Sequence, residues 1–231
     1  MMKVKICGIT NLEDALVTVE AGADYLGFIF YPQSKRAITP QAAQVIVELL
    51  RMDGDCPYLV GVFVNETAER MADILDMCDL DFAQLSGEEV PALIGEPASP
   101  IFGVAYKALR PSSLTEAEVD AEWFLPPNYE AEIQRQHGAG GRPSLLIDTY
   151  HPTLRGGTGE TGDWSISAKL AQDIPGLMLA GGLTADNVAE AVRQVRPYGV
   201  DVASGVEASP GKKDHDLVRR FVLNAKTAVV D

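Results

Sequence analysis

The chain has 231 residues, of which 46% are hydrophobic and 23% are charged, a composition typical of a soluble globular protein and unlike that of a disordered chain. Its 19 basic and 33 acidic side chains leave a formal net charge of −14, which argues against bulk electrostatic binding to nucleic acid or to an anionic membrane. No apolar run reaches the ~18–20 residues that a membrane span needs. We therefore expect neither a nucleic-acid nor a membrane partner.

Short apolar runs alternate with helical patterns along the chain. Strands are predicted over residues 4–7, 25–30, 58–64, 82–85, 101–106, 145–147, 177–180 and 200–202. Helices are predicted over residues 12–19, 40–49, 67–77, 89–94, 165–171, 186–195 and 214–228. Eight strands alternating with helices favour an α/β fold, a single (β/α)8 TIM barrel. A doubly wound open sheet is the second possibility, weakened because no G-x-G-x-x-G follows the first strand.

One stretch breaks this rhythm, because residues 110–143 separate strands five and six by far more than the usual few residues. We expect one barrel domain over residues 1–231 with an atypical insertion at about residues 110–143. Residues 115–123 could be helical. The rest is interpreted as a solvated insertion rather than as a substrate lid.

The cysteines and histidines indicate no metal site. Cys7, Cys56 and Cys78 show no C-x-x-C spacing, and the three histidines are scattered. A disulfide framework or a zinc site is therefore not expected. The opening residues lack the apolar core of a secretory signal peptide, so we predict a cytoplasmic location.

In a parallel barrel the C-terminal ends of all strands form one mouth, where active sites lie. Cys7 and Asp148 are predicted to end strands one and six, and Lys107 to follow strand five. Small residues follow strands seven and eight, at 181–182 and 204–205, where backbone N–H groups could approach a phosphate. We therefore predict a phosphate site, with residues 156–159 as a third glycine-rich loop nearby.

Two mechanisms fit these strand-end residues. Cys7 and Asp148 could act as a base and acid pair, which requires a thiolate and a carboxyl group that keeps its proton. Lys107 could instead form a Schiff base, as lysine-dependent aldolases do. The residue chemistry alone does not choose between them.

Motifs along nearly the whole chain, except residues 110–143, resemble those of one enzyme family. They are KICGIT at 5–10, NLEDA at 11–15, GAD at 22–24, GFIFYP at 27–32, SKR at 34–36, GVFVN at 61–65, QL at 84–85, GE at 87–88, LID at 146–148, GGTG at 156–159, DW at 163–164, GGL at 181–183, NV at 187–188, DVASGVE at 201–207 and PGKKD at 210–214. On these motifs the chain resembles phosphoribosylanthranilate isomerases, enzymes of tryptophan biosynthesis.

The resemblance implies a (β/α)8 enzyme without a cofactor. Its substrate would be N-(5-phosphoribosyl)anthranilate, a phosphorylated small molecule. Its product would be 1-(2-carboxyphenylamino)-1-deoxyribulose 5-phosphate, formed by an Amadori rearrangement of the aldose–ketose type. Cys7 falls on the family's general base and Asp148 on its general acid.

The resemblance also implies the substrate-binding residues. Arg36 falls on the arginine that binds the anthranilate carboxylate, and Gln84 and Asp201 would lie near the sugar. Phosphate-binding positions fall on Gly157, Gly182, Ser204 and Gly205.

The chain departs from the family at Ser86, where histidine is common, and at Gly162, where phenylalanine is common. Two other functions stay open: a lysine-dependent sugar-phosphate aldolase using Lys107, and a non-catalytic sugar-phosphate binder. The related histidine-pathway isomerase is disfavoured, because an aspartate would be expected in place of Cys7. We expect a monomer rather than a homodimer.

Overall fold

A computed structural model describes residues 1–52, 54, 56–125, 142–149 and 164–228. Eight parallel strands form a closed barrel in which each strand pairs with the next and the eighth pairs with the first. The strands are β1 (Lys3–Cys7), β2 (Tyr25–Ile29), β3 (Tyr58–Phe63), β4 (Phe82–Leu85), β5 (Ala105–Leu109), β6 (Leu145–Asp148), β7 (Leu177–Ala180) and β8 (Gly199–Val202). The barrel prediction is confirmed, and the open sheet is wrong.

Helices cover the outside of the barrel. They are α1 (Leu12–Glu20), α2 (Pro40–Met52), α3 (Ala68–Cys78), α4 (Ala92–Gly95), α5 (Leu114–Phe124), α6 (Ser165–Asp173), α7 (Val188–Val195) and α8 (His215–Thr227). Local sequence explains several helix starts: the side chains of Asn11, Thr67 and Ser113 each accept a hydrogen bond from the N–H three residues further on. Proline at the first position of α2 costs no intrahelical hydrogen bond.

Successive strand residues face alternately into the barrel and toward the helices. In β1, Val4 and Ile6 pack in the large core between strands and helices, which leaves Lys5 and Cys7 facing the barrel interior. A separate interior cluster contains Tyr25, Val60, Phe82, Tyr106, Leu146, Met178 and Ala180. The barrel is therefore filled by side chains and is not an open pore.

The boundaries of β5 and α4 differ from the prediction. Residues 101–104 form a turn, because the N–H groups of Val104 and Ala105 both donate to the Ile101 carbonyl oxygen. The strand therefore begins at Ala105 and includes Lys107. The helix predicted over 89–94 is the short α4, because the Glu89 carboxylate instead accepts hydrogen bonds from the N–H groups of Asn65, after β3, and of Gly87.

The first part of the stretch predicted as an insertion is α5, which confirms the expected helix and packs Ala117, Ala121 and Phe124 into the core. Residues 126–141 lie outside the described residues, so the role of the remaining stretch stays a prediction. A 3-10 helix (Ser204–Val206) and the hairpin of β9 (Glu207–Ser209) and β10 (Lys212–Lys213) follow β8 and were not predicted. Across the described ranges, no helix is long and apolar enough to cross a membrane.

Candidate active site

Cys7 ends β1 and is buried at the barrel mouth. Its neighbour across the β1–β2 pairing is Gly27, where a Cβ atom would come 2.8 Å from the Cys7 Sγ. The missing side chain therefore makes the space that the thiol occupies. Burial raises the pKa of the Cys7 thiol, and the ammonium groups of Lys5 and Lys213 oppose that rise.

A buried ion pair lies one layer below the thiol. Lys5 and Asp201 are register partners in the β1–β8 pairing, and Lys5 Nζ lies 2.9 Å from Asp201 Oδ1. Lys5 has no exposed surface and Asp201 is 8% exposed. A positive charge is thus fixed two residues before Cys7 on the same face of the strand.

Asp148 ends β6, as predicted, at the same end of the barrel as Cys7. Burial raises the pKa of the Asp148 carboxyl group, whereas Arg110 lowers it. Gly181, at the start of the next loop, has a φ of +90°, and a Cβ atom there would lie 2.6 Å from Asp148 Oδ1. The environment thus favours retention of a proton by a carboxyl group that faces the mouth.

Arg36 follows β2 and is held by a two-bond contact with Glu207. Its Nε and Nη2 each donate to one carboxylate oxygen at 2.7 Å. Lys213 Nζ supports this pair from below, 3.4 Å from Glu207 Oε1, and also donates to the Cys7 carbonyl oxygen at 2.6 Å. The network connects the candidate carboxylate-binding arginine to the end of β1.

Gln84 lies in β4 with its side chain inside the barrel. Its Oε1 accepts a hydrogen bond from the Tyr106 hydroxyl at 3.0 Å, and its Nε2 donates to Ser86 Oγ at 3.1 Å. Ser86 therefore restrains the amide at the position where the family often has histidine.

The turns after β7 and β8 touch each other. A Cβ atom on Gly205 would collide with the Leu183 carbonyl oxygen, so the two turns can pack this closely only with glycine there. Gly182 is exposed with a φ of +64°, and Ser204 is exposed at the start of the 3-10 helix. Gly157 lies outside the described residues.

The prediction that Lys107 lies at the mouth is wrong. Since Tyr106 fills the barrel interior, Lys107 points outward from the middle of β5. Its Nζ is 2.8 Å from Glu89 Oε2 and 2.5 Å from the Gly87 carbonyl oxygen, and it is 4% exposed. This lysine stabilises the loop after β4 from outside the barrel.

Sequence reasoning missed three charged residues at the site: Lys5, Glu207 and Arg110. Lys5 could have been found from the sequence, because a lysine two residues before a strand-end cysteine lies on the same face of the strand as the cysteine. The partners of Arg36 and Asp148 could not, because they come from distant loops.

The described residues of the site contain groups suited to moving protons. Within those same ranges, no group of three or more histidine, cysteine, aspartate or glutamate side chains could hold a metal ion. A buried thiol and a carboxyl group at one mouth, with cationic and glycine-rich loops around them, define a (β/α)8 enzyme of the acid–base type.

Comparison with known proteins gives the family. The family model for N-(5'-phosphoribosyl)anthranilate (PRA) isomerase matches residues 4–224, and the chain belongs to this family. The N-(5'-phosphoribosyl)anthranilate isomerase of Trichlorobacter lovleyi is 45% identical over 231 residues, covering 99% of this chain and 100% of its own.

Two solved structures are similar over almost the whole chain. The crystal structure of phosphoribosyl anthranilate isomerase from Thermotoga maritima has a TM-score of 0.81 at 43% identity and covers 98% of this chain and 99% of its own. A phosphoribosyl anthranilate isomerase in complex with reduced 1-(o-carboxyphenylamino)-1-deoxyribulose 5-phosphate has a TM-score of 0.77 at 41% identity, covering 98% and 99%.

Proposed function

We propose that this protein isomerises N-(5'-phosphoribosyl)anthranilate to 1-(o-carboxyphenylamino)-1-deoxyribulose 5-phosphate in tryptophan biosynthesis. The observation that carries the proposal is the pair formed by Cys7 and Asp148, which end two strands of one barrel at the same mouth. The family membership supports the same reaction.

The reaction needs one acid and one base. Asp148 donates a proton to the ribose ring oxygen, the C1–O bond breaks, and the lone pair of the substrate nitrogen forms an iminium. This cation acidifies the C2 proton, which the Cys7 thiolate removes. The resulting enolamine tautomerises to the amino-ketose. Because the substrate supplies its own iminium nitrogen, no enzyme lysine is needed.

Different residues around the acid and the base bind different parts of the substrate. Arg36 binds the anthranilate carboxylate, and its guanidinium is oriented by Glu207, which accepts hydrogen bonds from Nε and Nη2. Gln84 and Asp201 are proposed to contact the sugar, and their positions inside the barrel support this.

The phosphate site is proposed at the turns after β7 and β8. Gly182, Ser204 and Gly205 are small, and backbone N–H groups there can approach phosphate oxygens without an arginine. Gly157, outside the described residues, belongs to the same proposal.

The aldolase alternative lacks support, because Lys107 is enclosed by Glu89 and two backbone carbonyl oxygens on the outside of the barrel. A turnover assay distinguishes an enzyme from a non-catalytic sugar-phosphate binder. Purified protein should convert N-(5'-phosphoribosyl)anthranilate with a change in fluorescence, and borohydride should trap no covalent adduct. Tight binding of the substrate without turnover, or a trapped lysine adduct, would contradict the isomerase.

We propose that the enzyme is monomeric and cytoplasmic. The three free cysteine thiols are consistent with a reducing compartment. Light scattering should give a mass near 24.8 kDa. Twice that mass would contradict the monomer.

A further inference from the structure

Arg110 lies directly after β5, and its guanidinium contacts the proposed general acid. Its Nε lies 3.0 Å from Asp148 Oδ2. The arginine side chain is 61% exposed and that of Asp148 is 32% exposed, so the guanidinium covers the carboxyl group from the solvent side of the mouth. None of the sequence motifs that define the family resemblance includes this arginine.

The charges around Asp148 act in opposite directions. Burial raises the pKa of the Asp148 carboxyl group, Arg110 lowers it, and Asp201 on β8 raises it. Asp201 is itself paired with Lys5 on β1, and Cys7 ends the same strand. Among the described residues, Arg110 is therefore the charged neighbour that favours the ionised form of the acid.

This contact also restricts the direction of the carboxyl group. A hydrogen bond from Nε to Oδ2 fixes one oxygen and leaves Oδ1 beside the Gly181 turn. A general acid must aim its proton at the substrate, and small displacements of an acting group cost rate. The protonated acid can keep this contact, because a carboxyl group that carries its proton on Oδ1 still accepts a hydrogen bond at Oδ2.

We propose that Arg110 is a positioning residue that orients the Asp148 carboxyl group and controls its protonation in the free enzyme. The inference rests on the proposed function, because it assigns Asp148 the role of general acid.

The pH dependence of kcat/KM tests this role. The acidic limb of that profile reports the essential group with the lower pKa in the free enzyme. If this limb disappears in Asp148→Asn, the group is Asp148. In Arg110→Met the limb should move to higher pH, because the charge that favours ionisation is gone. In Arg110→Lys it should stay near the wild-type position. At 1 M salt, where the Debye length is about 3 Å, the wild-type limb should also move upward and that of Arg110→Met should not.

Arg51→Met is the matched control, because Arg51 also forms an ion pair, with Asp81 at 2.9 Å, but at the end of α2. It should keep the wild-type limb. Carbon-13 NMR titration of Asp148, assigned by its absence in Asp148→Asn, gives a readout that does not need turnover. An unchanged Asp148 titration in Arg110→Met would overturn the inference even in an active isomerase. A shifted titration in a protein that does not turn over the substrate would overturn the proposed function and support the coupling.

Discussion

Two buried lysines of this barrel have nearly the same chemistry and opposite positions. Lys5 on β1 and Lys107 on β5 are each under 5% exposed, and each donates to a carboxylate at 2.8–2.9 Å. Lys5 lies inside the barrel beneath Cys7. Lys107 lies outside it, paired with Glu89 and 5.7 Å from the centre of the Phe124 ring. A buried lysine–carboxylate pair therefore indicates function only when the lysine is known to lie on the interior face of its strand.

The difference comes from strand parity. A shift of one residue exchanges the two faces of a strand. Because Tyr106 is an interior residue, Lys107 must face the helices. The β1 residues Lys5 and Cys7 are two apart and share the interior.

The largest effect is expected from the acid at the mouth. Asp148→Asn keeps the size of the side chain but removes the ionisable proton, so kcat should fall by about 10²–10⁴-fold. Circular dichroism should show an intact barrel. Wild-type turnover in a folded Asp148→Asn protein would separate the carboxyl group from the reaction.

Substitution of the two lysines should distinguish an effect on stability from an effect on activity. Lys107→Met and Lys5→Met each leave a buried carboxylate unpaired, at a cost of about 3–5 kcal/mol in unfolding free energy. Only Lys5→Met should also lower the turnover of the molecules that remain folded, because its charge opposes the rise in the pKa of the Cys7 thiol. Urea unfolding and active-site-normalised rates measure the two effects. Equal activity losses in both variants would remove the distinction.

The space around Cys7 can be changed without altering charge. In Gly27→Ala the new Cβ would lie 2.8 Å from Sγ, so the thiol must move. We expect a loss in kcat of up to about 10²-fold, with a small change in stability. Gly22→Ala is the control with open space at its Cβ position and a φ of +85°, and should cost stability rather than rate. An unchanged kcat in Gly27→Ala would mean that the thiol position is not restricted.

Arg36 and Glu207 should affect binding more than chemistry. Arg36→Met removes the proposed carboxylate contact and should raise KM by about tenfold or more if the contact is equally strong in ground and transition states. Glu207→Gln keeps the shape of the partner and loses its charge, so a smaller rise is expected. Steady-state kinetics check both, and an unchanged KM in Arg36→Met would rule out the carboxylate role.

The pH dependence of the Lys107–Glu89 pair should give the smallest signal, confined to low pH. Burial opposes ionisation of Glu89, but hydrogen bonds from Lys107 and Asn65 outweigh it and lower the pKa of Glu89. Its stabilisation is therefore complete above the unfolded pKa near 4.3 and is lost as pH falls through the lower folded value. Unfolding free energies measured from neutral pH downward should show this loss in the wild type. The loss should be smaller in Lys107→Met, where only the backbone hydrogen bonds still lower the pKa of Glu89.

Much of the fold could be predicted from the sequence, because buried parallel strands are short apolar runs and capped helices carry local signals. Cys7 and Asp148 were predicted at strand ends, and the structure has them there. The error at β5 arose because residues 101–104 are apolar but form a turn. The contacts of Arg36 with Glu207 and of Arg110 with Asp148 join segments 171 and 38 residues apart, and no local pattern encodes such distances.

The proposed role of the Cys7 thiolate can be tested by measuring the turnover of Cys7→Ser with N-(5'-phosphoribosyl)anthranilate. Serine fits the same site beside Gly27, but its hydroxyl is a far weaker acid than a thiol and cannot supply an anion at neutral pH. We expect a fall in kcat of about 10²–10⁴-fold with an intact fold. A folded Cys7→Ser protein that turns over at the wild-type rate would contradict it.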